Sequence, residues 1–363
     1  MTGKERTSAI LRHQKTDRIG LYEHFWGDTH RAWTSGEDET SLIKPGESFE
    51  DHFDYDMTGC WAFNFCIDLD YHGQVVAEDE DTVTVKDGNY ATLRRHKKHD
   101  TTPEHIAFDI TDRETWETLA KPKLLDPASF RRRINFEGYK NAKAYAAQKE
   151  RFFFWSGVNV FECMHPIAGH VDMLMGMIDD PEWVSDMCET YAALTVELQK
   201  ILFAECGLPD GIWFYEDMGY KDSPFMSPEM YDRFIYPAHK STCDYAHSLG
   251  LPVVMHSCGF VEPLLPSMIR AGIDALQVIE VKAGMDLLRI FKNFGDKIAL
   301  IGGIDVRCLY SNDRAVIDEE LEKKIPIVKH GSYVLHSDHS IPKTVKYETY
   351  KYFIERGLSL GTL

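Results

Sequence analysis

Nowhere in the 363 residues does an apolar run approach the ~18 that a membrane-spanning helix needs. The opening stretch, MTGKERTSAILRHQKTDR, has the pattern of a polar amphipathic helix and lacks the apolar centre of a signal peptide. A soluble, cytoplasmic protein is the expectation. Positive charge is scarce: 40 Lys+Arg face 58 Asp+Glu, a net charge of −18. Such a surface repels polyanions, so neither a nucleic acid nor an anionic membrane is an expected partner. The eight cysteines, at 60, 66, 163, 188, 206, 243, 258 and 308, never form a CxxC pair, which argues against zinc-finger and disulfide-scaffold classes. Phosphate-binding glycine patterns are missing too, and Gly302-Gly303 stand without a GxGxxG or P-loop around them. Close backbone approach in a crowded place is the plainer reading of that pair. With 15 prolines, 44% hydrophobic and 12% aromatic residues, the chain has the composition of a protein with a sizeable core.

From residue 150 onward, short apolar runs alternate with helix-length amphipathic stretches, the pattern of βα units in a parallel sheet. Strands are expected at 152–155, 211–215, 252–255, 275–278, 298–301 and 333–335, with two more upstream at 18–22 and 61–65. Asp180-Pro181-Glu182 and Ser227-Pro228-Glu229 each read as a helix start, the first running on to Cys206 and the second to about Ser248. Eight βα units close a barrel, so the expected architecture is an α/β (β/α)8 TIM barrel forming one domain over 1–363. The segment near 71–110 alternates polar and apolar residues around Asp87-Gly88-Asn89 and reads as hairpins inserted into the barrel as a lid or rim. Residues 111–145 read as helix and linker. The methionines at 164, 173, 175 and 177 suit plastic packing or an apolar docking surface.

Function in such a barrel sits on loops after the strand C-termini, and those loops are rich in metal-type ligands. Glu216-Asp217, His256-Ser257-Cys258, Glu280 and His336-Ser337-Asp338-His339 each follow an apolar run. His256-x-Cys258 can aim an imidazole and a thiolate at one ion, and zinc accepts N, S and O donors from several loops. His256, Cys258, Glu280 and His339 are therefore the candidate metal ligands. Read alone, the HxC pair also fits a small buried thiol beside a hydrogen-bonded core histidine. Glu216 and Asp217 are adjacent, so their side chains diverge and one faces the barrel axis; Glu216 is the favoured one, and both are candidate catalytic carboxylates. Trp155, Trp213 and His336 are candidate substrate contacts, although the tryptophans equally suit barrel core. Asp338 either orients His339 or caps the next helix.

These residues carry a resemblance over nearly the whole chain. Arg6-Thr7-Ser8-Ala9-Ile10-Leu11 with Asp17-Arg18, Glu216-Asp217-Met218-Gly219, Ser227-Pro228-Glu229-Met230-Tyr231, His256-Ser257-Cys258-Gly259, Gly302-Gly303-Ile304-Asp305 and Asp338-His339-Ser340-Ile341-Pro342 together resemble the uroporphyrinogen decarboxylase superfamily. The resemblance implies a (β/α)8 barrel and one of two chemistries: metal-free decarboxylation of a polycarboxylated tetrapyrrole, or zinc-dependent methyl transfer to or from a corrinoid protein. The decarboxylases carry an Arg-rich segment near the N-terminus, where this sequence has Leu21-Tyr22-Glu23-His24-Phe25-Trp26. The His-x-Cys is similar to the zinc motif of methylcobamide:coenzyme M methyltransferases, whose third ligand is a cysteine; the matching position here is His339. Imidazole in place of thiolate makes a stronger Lewis acid, better suited to polarising an oxygen.

The expectation is therefore a zinc enzyme that takes a methyl group from a small O-methyl substrate to the cobalt of a corrinoid partner protein, resembling methyltransferase I of bacterial O-demethylase systems. Glu216 or Asp217 would orient the substrate or manage its proton. The alternatives are a metal-free decarboxylase with Asp56 or Glu23 in the mouth, a methylcorrinoid:thiol methyltransferase, or a binding protein without chemistry.

Overall fold

The computed structural model describes residues 1–98 and 102–363, so residues 99–101 of the expected insertion lie outside the described residues. Two strands come first, β1 (Gly20–Leu21) and β2 (Met57–Trp61). An inserted group follows: β3 (Gln74–Glu78), β4 (Thr82–Lys86), β5 (Ala91–His96) and β6 (Glu104–Phe108). The regular alternation then supplies β7 (Phe152–Val158), β8 (Gly211–Tyr215), β9 (Val253–Ser257), β10 (Ala275–Val278), β11 (Ala299–Gly302) and β12 (Tyr333–Leu335).

Eight of these form one sheet in the order β1-β12-β11-β10-β9-β8-β7-β2, parallel at every pairing. The sheet closes where β1 meets β2: Asp56 donates its N–H to the Leu21 carbonyl at 3.0 Å, and its carboxylate accepts the Leu21 N–H at 2.8 Å. Helices cover the outside, so the strands are buried on both faces and read as nearly unbroken apolar runs. The architecture is the (β/α)8 barrel that the run count predicts.

Side chains alternate along each strand. Phe154 and Trp213 point inward and stack at 4.9 Å, with Tyr22 edge-on to both. Phe153 and Trp155 point outward: Phe153 meets Tyr139 of the helix Phe136–Gln148, and Trp155 meets Phe214. The long helix Pro181–Cys206 starts where the sequence places it, with the Asp180 side chain accepting the Trp183 N–H and Pro181 in the first turn.

Two strands slide by a residue or two, to Val253–Ser257 and Ala299–Gly302, and the two upstream expectations change more. The strand expected at 61–65 is Met57–Trp61, because residues 62–64 leave the barrel and pair instead with the linker: Asn135 N–H donates to Ala62 O and Asn64 N–H to Arg133 O, both at 2.8 Å. The 18–22 run forms a strand only at Gly20–Leu21. The insertion is a four-stranded antiparallel meander, β3-β4-β5-β6. Met164, Met173 and Met177 are core, whereas Met175 is 51% exposed beside Val171 and Ile178 on the helix His170–Asp179.

Candidate metal centre

The sequence ends β9 with a histidine still in the strand and a cysteine just past it, so both aim into the barrel mouth. His256 Nε2 lies 3.3 Å from Cys258 Sγ and 3.2 Å from Asp217 Oδ1. Asp217, from the loop after β8, also accepts the Cys258 N–H at 2.9 Å, which holds the loop in place. One donor atom from each of Asp217, His256 and Cys258 lies within 4.8 Å of the others.

The far side of the imidazole is held as well. Gln277 Oε1 accepts the Nδ1 proton of His256, so Nε2 is the nitrogen turned to the carboxylate and thiol, where a bound ion would take the place of its proton. Beneath lies a chain of neutral groups with one consistent set of protons. Tyr215 O–H donates to His24 Nε2 (2.9 Å), His24 Nδ1–H to His336 Nε2 (3.0 Å), and His336 Nδ1–H to the Ser337 carbonyl (2.5 Å). Gln277 Nε2 adds a second donor to His336 Nε2 at 3.3 Å.

Burial and the neighbouring imidazoles hold His24 well below the ordinary histidine value, and burial takes His336 down to about 3. Burial alone would raise the Asp217 carboxyl, but facing His256 it is held down to about 2. Burial pushes the Cys258 thiol up to about 11, with His256 opposing. Burial also works against an imidazolium at His256, yet Cys258 and Asp217 outweigh it and keep its value well above the usual one.

The site opens into a cavity of about 250 Å³ whose walls include Trp26, Tyr215, Gln277 and His339. Among its described lining residues there is no lysine or arginine. A hollow of about 880 Å³ lies at the opposite end of the barrel, where Lys297 and Ser332 precede β11 and β12, away from the strand ends that carry the cluster.

Several residues stand elsewhere than the sequence reading puts them. Glu216 does not face the barrel axis. It is fully buried on the outer side, where its carboxylate accepts the N–H groups of Phe161 (2.8 Å) and Glu162 (2.9 Å) at the start of the helix Val160–Ala168 and meets His239 Nε2 at 2.5 Å. Strand alternation is the reason: Trp213 and Tyr215 face inward, Glu216 outward and Asp217 inward again. Glu280 is turned to the loop backbone, accepting the Gly259 N–H at 2.7 Å and pairing with Lys282 at 3.2 Å, so it braces the Cys258 loop. His339 lines the cavity and stacks on Trp26 at 5.7 Å, outside the Asp217–His256–Cys258 group.

Trp155 points into the helix layer, and Trp213 is sealed beneath the site against Phe154 and His24, so neither forms a cavity wall. His336 does line the cavity. Asp338 ties loops together by accepting the N–H groups of Val281 (2.8 Å) and Val306 (2.7 Å). Asp56 lies ahead of β2 among arginines, and Glu23 is buried under Ser337, so neither opens into this cavity.

Gln277 is the positioning residue that the sequence reading misses, and its signal is a lone amide inside the buried run Ala275–Val278. Replacing a side chain that orients a metal-binding histidine typically costs about 10–100-fold in metal affinity. Gln277→Leu is expected to lower the affinity of this candidate donor group for a divalent metal by that factor without unfolding the barrel, as read by competitive chelator titration beside a melting curve.

The family profile described as "Uroporphyrinogen decarboxylase (URO-D)" matches residues 161–357. No curated protein matches the chain. Among solved structures, a methyltransferase from Methanosarcina mazei is similar at 14% identity with a TM-score of 0.65, covering 99% of this chain and 98% of that one, which shows a shared fold. A Xaa-Pro dipeptidase with bound methionine gives 13% identity and a TM-score of 0.34 over 62% of this chain and 59% of that one. Dispersin B gives 11% and 0.35 over 62% and 76%. The profile covers more than half of the chain, from the helix that Glu216 caps through the strand ends of β8 to β12, and on that match the chain belongs to the uroporphyrinogen decarboxylase family.

Proposed function

We propose that the protein is a zinc-dependent methyltransferase that moves a methyl group between a small O-methyl substrate, a methyl ether or a methanol-like alcohol, and the cobalt of a corrinoid partner protein. The observation that carries this reading is the Asp217–His256–Cys258 group at the mouth of a small cavity with no lysine or arginine among its described lining residues. The donor set fits the metal: zinc takes carboxylate oxygen, imidazole nitrogen and thiolate sulfur together, and a catalytic site keeps a fourth position open. When bound, zinc would polarise the oxygen that carries the methyl group.

The chain's own residues set the conditions for that chemistry. Gln277 holds the Nδ1 proton of His256 and so fixes which nitrogen faces the cavity. Two anionic ligands and one neutral one balance a dication, and His24 and His336 below are neutral, so the site favours an uncharged substrate. A metal-free decarboxylase acting on a polycarboxylate would need guanidinium or ammonium groups, and the described lining residues include no arginine or lysine. The membership of Cys258 in the group favours one second reading, transfer from a methylcorrinoid to a thiol, because sulfur ligation leaves more electron density on the ion.

The test is zinc stoichiometry of the purified chain beside Asp217→Ala, His256→Ala and Cys258→Ala, followed by methyl transfer to cob(I)alamin from a panel of methyl ethers and methanol. Each variant is expected to hold one zinc fewer than the wild type and to form no methylcobalamin, whereas His339→Ala should keep the metal. Unchanged zinc content in the His256 and Cys258 variants would refute the site. Turnover seen only from methylcobalamin to thiols would select the second reading.

A further inference from the structure

We infer a second metal centre, separate from the first, formed by His105, His165 and His170 and taking a divalent transition cation of the zinc, cobalt and nickel class. The three come from different elements: His105 from β6 of the inserted sheet, His165 from the helix Val160–Ala168, and His170 from the start of the helix His170–Asp179. One ligand atom from each lies within 4.8 Å of the others. Ring centroids are 4.4 Å apart for His165 and His170, 5.9 Å for His105 and His165, and 6.5 Å for His105 and His170. Nitrogen ligands sit about 2.0–2.1 Å from zinc, so modest ring rotation draws the three onto one ion.

His165 supplies an independent pointer. Its Nε2 meets Glu162 Oε2 at 2.9 Å, while its Nδ1 is buried with no hydrogen-bond partner. A buried ring nitrogen is ordinarily satisfied. A carboxylate on one nitrogen and a bare lone pair on the other is the arrangement of a histidine poised for a metal: Glu162 keeps the proton on Nε2 and leaves Nδ1 to the ion. Phe108, Phe161 and Phe225 pack around the group, with Phe225 4.8 Å from His170. Three imidazoles without a cage of oxygens select zinc, cobalt, nickel or copper over magnesium and calcium. An ion here would fasten the inserted sheet to two barrel helices. It would also touch the first centre indirectly, since Glu162 Oε2 accepts the Asp217 N–H at 3.4 Å.

The experiment counts zinc and records Co2+ spectra on the chelator-stripped full-length chain. Wild type is expected to bind two equivalents, the His256→Ala/Cys258→Ala variant one, and His105→Ala one, with sulfur-to-cobalt charge-transfer absorption lost only in the variant lacking Cys258. Zinc is further expected to slow proteolysis within 71–110 at least tenfold, an effect absent in His105→Ala. His105→Gln, a milder change on the inserted sheet, guards against a folding defect. A single wild-type equivalent that disappears in the His256→Ala/Cys258→Ala variant would overturn this centre. A single equivalent lost in His105→Ala would instead overturn the first centre and support this one.

Discussion

Asp56→Ala is expected to destabilise the protein by roughly 3–5 kcal/mol, the usual cost of removing one partner from a buried ion pair. Asp56 is 2% exposed and serves two arginines at once: Arg6 Nη1 at 2.5 Å, and Arg18 through Nη1 at 2.9 Å and Nη2 at 3.1 Å. Its carboxylate also accepts the Leu21 N–H, and its backbone bonds to Leu21 and Phe152. Alanine keeps the backbone bonds and removes everything else. Arg6 retains Asp17, with contacts of 2.7 and 2.8 Å, so the larger loss falls on Arg18 and on the Leu21 amide. Denaturant unfolding should show a lower midpoint at an unchanged slope. Asp56→Asn, which preserves the shape but not the charge, should fall between the two. A midpoint for Asp56→Ala equal to wild type would show that the seam between β1 and β2 does not depend on this carboxylate.

Gly302→Ala is the second large effect, expected at about 3 kcal/mol or more from strain and overpacking, each worth roughly 1–3. Gly302 ends β11 with φ +104°, and a Cβ there would lie 2.1 Å from the Val278 carbonyl oxygen, a backbone atom with nowhere to go. Gly36 has φ +88° but no atom within 4 Å of the same ideal Cβ, so Gly36→Ala isolates the backbone term of roughly 1–2 kcal/mol. The difference between the two variants measures the contact alone. Gly302→Ala matching Gly36→Ala would mean that β10 and β11 can separate freely at the site.

Much of the fold is legible in the sequence because parallel strands buried on both faces leave apolar runs, and those at 152–155, 211–215 and 275–278 lie within or coincide with observed strands. The run at 61–65 is ambiguous for a physical reason: residues 62–64 are extended, but their partners are the linker residues 133–135, a pairing that apolar content does not reveal. The site is legible where two ligands are neighbours in sequence, as in His256-x-Cys258. It is less so for Asp217, whose inward direction follows only once Trp213 and Tyr215 are known to face the barrel interior. Glu280 looks like a ligand because it is an acid at a strand end, yet an amide of its own neighbourhood claims it. No spacing rule announces the His105, His165 and His170 group, since it forms across an insertion and two helices.

The neutral chain beneath the cavity has a direction. Tyr215 gives its only proton to His24, His24 gives to His336, and His336 gives to the Ser337 carbonyl, where the sequence of donations ends. The tyrosine oxygen at the head of this chain thus has lone pairs left to offer and no hydrogen. A ligand that reaches it must bring its own hydrogen, so this part of the wall holds a hydroxyl in preference to an ether or carbonyl oxygen. Reversing that preference would require three groups to turn over together in a space packed by Tyr22 and Trp213, which makes the polarity of the pocket a property of the folded core rather than of any one side chain at its edge.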